Sequence, residues 1–210
     1  EALDSSFTLV DKMYGQDKAK IISFKAAWTN EFIPHVLNSD KTSKVICIVR
    51  DPRAVCASKN AMPEKYPWMF LIRQWRKQAL FAWRAQQNPA WKNRVLVVKY
   101  EDLISKPADH AKKISAFLGV TYDPAMADAM GFKDHTGSSW RGNSSHFEEV
   151  NTFNTEAIKK WQQTLTAAEI EYIEYLCRPE MLAFGYEPVN KLKSDIPEAL
   201  LSNPPAVPVA

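Results

Sequence analysis

Glycine is scarce in this chain of 210 residues: six, at positions 15, 119, 131, 137, 142 and 185, none of them in a complete G-x-G-x-x-G fingerprint or G-x-x-x-x-G-K-[ST] phosphate loop. Neither standard nucleotide motif is therefore present. Cysteine is scarcer still, with residues 47, 56 and 177 forming no C-x-x-C pair and no even set. That excludes a structural zinc site and a disulfide-stapled scaffold, and it fits a reducing compartment. Long apolar runs are absent; the longest is a handful of residues, far short of a membrane span. Residues 1–20 hold no apolar signal core, and because the chain starts at Glu1 a preceding segment is expected. Charge of one sign is lacking too, since 27 basic against 24 acidic side chains leave +3. A strongly basic nucleic-acid binder and an acidic tail protein are both excluded. What is present is enough apolar material, 46% of residues, for the core of one α/β domain.

The small net charge conceals a segregation. Between Lys41 and Tyr100 thirteen Lys or Arg face two acids, Asp51 and Glu64, so this stretch carries +11 and the remainder −8. A positive field confined to sixty residues points to an anionic ligand rather than to general polyanion binding.

Proline sets the one visible boundary. After Glu187 come Pro188, Pro197, Pro204, Pro205 and Pro208, so residues 1–187 read as the domain and 188–210 as a tail. Within the domain, Ile21–Phe24, Val45–Val49 and Val95–Val98 are short apolar runs rich in β-branched residues, the composition of buried strands. Helical patterns alternate with them at 30–37, 52–60 and 68–87, the last with apolar residues at 68, 72, 75, 79 and 83. Further helices are expected from Pro107 to Leu118 with Gly119 as the stop, over 123–130, over 155–161, and over 167–184 with Thr166 as cap and Glu169 three residues on. Strand and helix in alternation give an α/β fold around a parallel sheet. Residues 131–154 are polar and aperiodic, a long loop of the kind that carries function.

The sharpest local feature is KVICIVRDPRAVCAS, where a buried strand ends at Val49 and charge begins at Arg50. Ligands of open α/β sheets bind beyond the carboxyl ends of the strands. Pro52 at the first helical position is expected to leave free N–H groups facing that crevice, a good anion seat. Arg50 offers a bidentate fork, and Ser58, two turns along the expected helix, a hydroxyl. The plainer alternative is that Arg50 pairs with Asp51 or another acid on the surface.

Val49-Arg50-Asp51-Pro52-Arg53-Ala54-Val55-Cys56-Ala57-Ser58 resembles the 3′-phosphate-binding segment of sulfotransferases that use 3′-phosphoadenosine 5′-phosphosulfate (PAPS). Val97 to Leu103 is similar to the family's Tyr-Glu-Asp-Leu strand, and Trp161, Glu174, Cys177, Met181 and Phe184-Gly185-Tyr186 resemble the closing helix of carbohydrate-type and bacterial members. The resemblance, over roughly residues 21–187, implies a three-layer P-loop-NTPase-like fold with a central parallel sheet, whose first strand and phosphate loop are expected ahead of residue 21. It implies that Arg50 and Ser58 bind the 3′-phosphate, that Tyr100 lies by the adenine, and that Arg141 and Gly142, in the loop at 137–145, close over the nucleotide. Trp140 and the loop serines have the plainer reading of packing and ordinary loop residues.

Sulfuryl transfer of this kind needs no metal; it needs an in-line acceptor, a base and cations on the leaving phosphate. Lys25 resembles the family's strand-end lysine, and Ala27 stands where cytosolic members have a histidine. Glu31 is the nearby acid within the chain, read either as a base or as an ordinary acid at a helix start, with a base upstream of Glu1 as the alternative. Arg73, Arg76 or Lys77, and Arg84 mark one side of the long helix, either a solvated face or a strip for an anionic acceptor. The reading implied is a sulfotransferase moving a sulfuryl group from PAPS to a hydroxyl of a carbohydrate or small molecule, without a nucleic-acid partner and with no membrane span in this chain. A non-catalytic nucleotide- or partner-binding remnant and a P-loop kinase organised by Asp51 are the alternatives. The sequon Asn143-Ser144-Ser145 inside a cofactor loop favours a cytoplasmic setting, with the Golgi lumen as alternative.

Overall fold

The computed structural model describes residues 12, 21–23, 25–58, 66–133, 137–139 and 152–189. Its centre is a parallel pair, β1 (Val45–Val49) and β2 (Val95–Lys99), in the register Val45↔Val95 through Val49↔Lys99. Parallel strands cannot be joined by a tight turn, and the crossover here is helical, as in any β-α-β unit. It contains α2 (Pro52–Cys56) and α3 (Trp68–Gln87). Ahead of β1, a 3₁₀ turn over Asn30–Phe32 leads into α1 (Ile33–Ser39), which takes Pro34 in its first turn.

Helix α3 buries Leu71, Ile72, Trp75, Ala79, Ala82 and Ala85, one stripe at three- to four-residue spacing. Its alanines are small enough for close approach, and the helix packs on β2, on α2 and on the last helix. Beyond β2 come α4 (Tyr100–Ser105) and α5 (Pro107–Leu118). Gly119 ends α5 at φ 80°, and the Val120 amide donates to the Ser115 carbonyl, a Schellman closure that needs this left-handed residue. The domain closes with α6 (Glu156–Lys159), α7 (Trp161–Thr164) and α8 (Ala167–Ala183). A capping box starts α8: the Thr166 amide donates to Glu169 at 2.7 Å, and the Glu169 amide to the Thr166 hydroxyl at 3.3 Å. Ile173, Cys177 and Met181 on its inner face are fully buried.

Four expectations are corrected. Ile21–Phe24 was expected to be a strand, but residues 21–23 join no ladder and Ile21 is exposed. Strand-forming composition makes a strand only where a partner edge lies alongside. The Tyr-Glu-Asp-Leu segment is helical, because β2 stops at Lys99 and Glu101 and Asp102 suit the first turn of α4. Residues 123–130 form two 3₁₀ turns, Pro124–Ala127 and Ala129–Gly131, because Asp123 and Asp128 each fold back to cap an amide two residues on. Residues 155–161 divide at Lys160 into α6 and α7. Most of the expected 131–154 loop lies outside the described residues; within it, Lys133 and Ser139 form an antiparallel bridge.

Candidate functional site

The register of the sheet builds the site. Val49 and Lys99 are paired across the ladder, so the next residue on each chain, Arg50 and Tyr100, emerges at the same level, one strand spacing apart. The Arg50 guanidinium lies 4.6 Å from the Tyr100 ring centroid, a cation–π contact. One further residue along, the Asp51 amide donates to Glu101 Oε1 at 2.9 Å. Two motifs fifty residues apart in sequence thus form one surface at the carboxyl ends of both strands.

Arg50 pairs with no acid among the described residues. Asp51 faces the other way and holds Arg53, through Oδ2 to Nη2 at 2.7 Å and Oδ1 to Nε at 2.9 Å. Among the described residues the Arg50 side chain donates one hydrogen bond, from Nη2 to the Ala157 carbonyl at 3.3 Å, and its Nε is buried with no acceptor. Its backbone is pinned, since Trp75 Nε1 donates to the Arg50 carbonyl at 2.7 Å. Arg50 is thus a half-buried guanidinium on a fixed backbone with one unsatisfied donor among the described residues.

The start of α2 departs from expectation. The Arg53 amide donates to Asp51 Oδ1 at 2.8 Å and the Asp51 amide to Glu101, so carboxylates already occupy these donors. The positive group at this strand end is the Arg50 side chain rather than a bare helix terminus. The same geometry removes the metal-organising role considered for Asp51, because both its oxygens are bound by Arg53.

Behind the surface runs a buried polar assembly that the sequence reading did not anticipate. Arg53, 4% exposed, also donates to Glu174 Oε1 of α8 at 2.6 Å and to the Glu187 carbonyl at 3.1 Å, and it stacks 4.1 Å over Trp161. Burial pushes the Arg53 pKa down, but hydrogen bonds and charge from Asp51 and Glu174 outweigh it and leave it raised. The Val189 amide supplies a further bond to Glu174. Beside this group, the buried Tyr186 hydroxyl donates to Glu101 Oε2 at 2.8 Å and lies 3.2 Å from the Val49 carbonyl. Burial, then the Glu101 charge, raises the tyrosine pKa so that it stays a donor. A signal for this assembly existed: Glu174 stands on the apolar stripe of α8 between Ile173 and Cys177, where an acid requires a buried cation.

A profile of the sulfotransferase family matches residues 8–124, more than half of the chain, and the matched span includes Arg50, Ser58 and Tyr100. The chain belongs to the sulfotransferase family. It is 32% identical over 124 residues to carbohydrate sulfotransferase 2 of Mus musculus, covering 57% of this chain and 23% of that protein. To carbohydrate sulfotransferase 3 of Tetronarce californica it is 27% identical over 165 residues, covering 70% and 36%. The chain therefore spans 23% to 36% of the length of these curated relatives. In structure it is similar to the sulfotransferase domain from the curacin biosynthetic pathway, with a TM-score of 0.60 at 17% identity over 86% of this chain and 68% of that one. The sulfotransferase domain from the Synechococcus PCC 7002 olefin synthase gives 0.57 at 23% identity, over 76% and 56%. At such identities the likeness is one of fold, and it is the expected α/β fold.

The remaining candidates of this sulfotransferase-family chain are dispersed. Ser58 lies two residues past the end of α2 instead of two turns inside it, half-buried, with its amide on the Val55 carbonyl at 3.2 Å. Arg141 and Gly142 lie outside the described residues. Lys25 is exposed. Glu31 accepts from Lys77 Nζ at 2.7 Å and Gln78 Nε2 at 3.3 Å, and the Lys77 bond above all lowers its pKa, making it a weaker base. On α3, Arg76 is committed to Glu180 at 3.0 Å and Lys77 to Glu31, which breaks the alternative of a continuous cationic strip, while Arg73 and Arg84 are exposed, as on a solvated face. Among the described residues no helix is long and apolar enough to cross a membrane.

Proposed function

We propose that this chain is the nucleotide-binding part of a PAPS-dependent sulfotransferase that transfers a sulfuryl group to a hydroxyl of a carbohydrate. The observation that carries the reading is Arg50: a guanidinium on a pinned backbone, with no acid beside it and no acceptor for Nε among the described residues, set against Tyr100 at the level ends of two parallel strands. A phosphate monoester supplies the missing acceptors in bidentate form. Ser58, Arg141 and Gly142 are assigned to the same 3′-phosphate by the resemblance, and Tyr100 to the adenine side.

In the reaction the acceptor oxygen forms a bond to sulfur as the bond from sulfur to the 5′-phosphate oxygen breaks. The leaving phosphate keeps the electron pair, and the acceptor's proton passes to a base. Lys25 is assigned to the charge of the leaving oxygen. Glu31, ionised and gripped by Lys77, is assigned to holding that lysine and the adjoining turn rather than to proton abstraction. The names of the carbohydrate sulfotransferases support a carbohydrate acceptor and lend nothing to the cytoplasmic expectation, so the Golgi-lumen alternative is the one retained.

The test is thermal stabilisation by 3′-phosphoadenosine 5′-phosphate (PAP) against 5′-AMP, since a ligand that binds the native state raises its melting temperature. PAP stabilises more strongly, and Arg50→Ala abolishes the difference. Equal shifts from the two nucleotides in the unmodified protein refute the assignment.

A further inference from the structure

The peptide that joins Arg50 to Asp51 belongs to no regular element, since the ladder of β1 and β2 ends with Val49↔Lys99 and α2 starts at Pro52. Side chains from two other elements hold it instead. Trp75 of α3 donates from Nε1 to its carbonyl at 2.7 Å, and Glu101 of α4 accepts from its N–H through Oε1 at 2.9 Å. The C=O and N–H of a trans peptide point to opposite sides, so the group is gripped from both. The ladder holds the chain before Arg50 and this clamp holds it after. The direction in which the guanidinium leaves the sheet is therefore set at both ends.

Glu101 does more than a helix start requires. Its neighbour Asp102 also lies in the first turn of α4 and stays exposed. Glu101 turns inward and spends its second oxygen, Oε2, on the buried Tyr186 hydroxyl at 2.8 Å. Tyr186 is delivered there by the turn that closes α8, where Gly185 adopts φ 68° and the Tyr186 amide donates to the Met181 carbonyl at 2.9 Å. An acid next to Tyr100 in sequence is an obvious partner for Arg50, yet among the described residues neither Glu101 nor Asp51 bonds to the guanidinium. With both oxygens taken by uncharged donors, Glu101 fixes the Arg50 backbone and leaves the side-chain charge without a countercharge.

We propose that Glu101 is a positioning residue for the nucleotide, acting through the Arg50–Asp51 peptide that it clamps together with Trp75. The inference rests on the assignment of Arg50 to the 3′-phosphate and adds how that arginine is aimed. The test is a double-mutant cycle in the full chain, read by equilibrium titration with PAP and with 5′-AMP. Glu101→Ala lowers PAP affinity about tenfold and 5′-AMP affinity about twofold at most, because only the 3′-phosphate depends on where Arg50 points. In the Arg50→Ala background the same change costs PAP about twofold at most. Glu101→Gln, which keeps an acceptor for the Asp51 amide, holds PAP affinity to within about twofold. Trp75→Phe frees the carbonyl side of the same peptide, gives the pattern of Glu101→Ala, and serves where that variant does not fold. Hydrogen exchange of the Asp51 amide reads the clamp without any nucleotide: it is faster in Glu101→Ala and unchanged in Glu101→Gln. Equal losses for the two nucleotides in either clamp variant, or a full loss on top of Arg50→Ala, assign the effect to general stability and overturn the proposal. A Gln variant as weak as the Ala variant overturns it by making the effect one of charge. Unchanged Asp51 exchange in Glu101→Ala overturns the clamp alone, whereas a failure of PAP to bind the unmodified protein refutes the nucleotide reading and the proposal with it.

Discussion

Arg50 and Tyr100 touch, guanidinium over ring at 4.6 Å, because the strands that precede them end in register. In the proposed function the ring holds the guanidinium plane and leaves its edge for the nucleotide. Tyr100→Leu therefore lowers PAP affinity by about three- to tenfold, the range of a partly desolvated cation–π contact, while Tyr100→Phe retains it. Equilibrium titration with PAP measures both, and equal losses in the two variants would assign the effect to the hydroxyl instead.

Glu174→Ala is the most destabilising single change expected. It leaves Arg53 buried with half of its countercharge and exposes the Val189 amide to an empty site. The expected loss is about 3–5 kcal/mol in urea denaturation. Lys77→Ala, which breaks a part-exposed pair with Glu31, costs about 0.5 kcal/mol at most. A ratio near one between these two would remove the buried pair from its central place.

Tyr186→Phe deletes the hydroxyl that serves Glu101 and the Val49 carbonyl. The expected cost is about 1–3 kcal/mol, since a part-buried carboxylate loses a donor. Glu101 is also the acceptor for the Asp51 amide, so the variant loosens the junction below Arg50. Weaker PAP binding therefore accompanies the loss of stability.

Asp40 gives an acid-side signature. Hydrogen bonds from Ser43 and Thr42 pull its pKa from 3.8 to about 2. Its native value lies below the unfolded one, so its contribution is complete above pH ~4 and is lost as pH falls through about 2. Asp40→Asn flattens the fall in stability across that window and leaves the neutral range nearly unchanged, as denaturation at a series of pH values will show.

The three thiols are the counterpart on the alkaline side. Burial pushes Cys47 up to about 11 and Cys56 up to about 12, and it raises Cys177 as well. At pH 8 the folded protein reacts with a thiol-specific disulfide reagent only at the rate of global unfolding, and all three thiols react promptly in denaturant. Fast labelling of one thiol in native buffer would contradict its burial.

Much of this was legible in the sequence for physical reasons. β1 and β2 were apolar, β-branched and bounded by charge, and α3 and α8 had long apolar stripes with marked ends. Arg50 stood out because it follows a buried strand directly. Less visible was anything that depends on a partner distant in sequence. Ile21–Phe24 had strand composition but residues 21–23 pair with no strand edge, and Glu31 had the position of a base until Lys77 was seen beside it. The division of labour within Arg50-Asp51-Pro52-Arg53 was also hidden. Arg53 is closed by Asp51 beside it and by Glu174 arriving from α8, whereas Arg50 meets no acid among the described residues.

The Arg53–Glu174 bridge also imposes an order in time. Its ends are 121 residues apart, so when Arg53 leaves the ribosome its partner acid on α8 has yet to be synthesised. The strands and the crossover helix form from more local contacts, whereas the underside of the Arg50 surface closes only when α8 docks. A nascent chain halted before Glu174 should therefore hold the β-α-β unit with the Arg50 surface unfinished, so that under the proposed function ligand-binding competence arrives as the last event of folding.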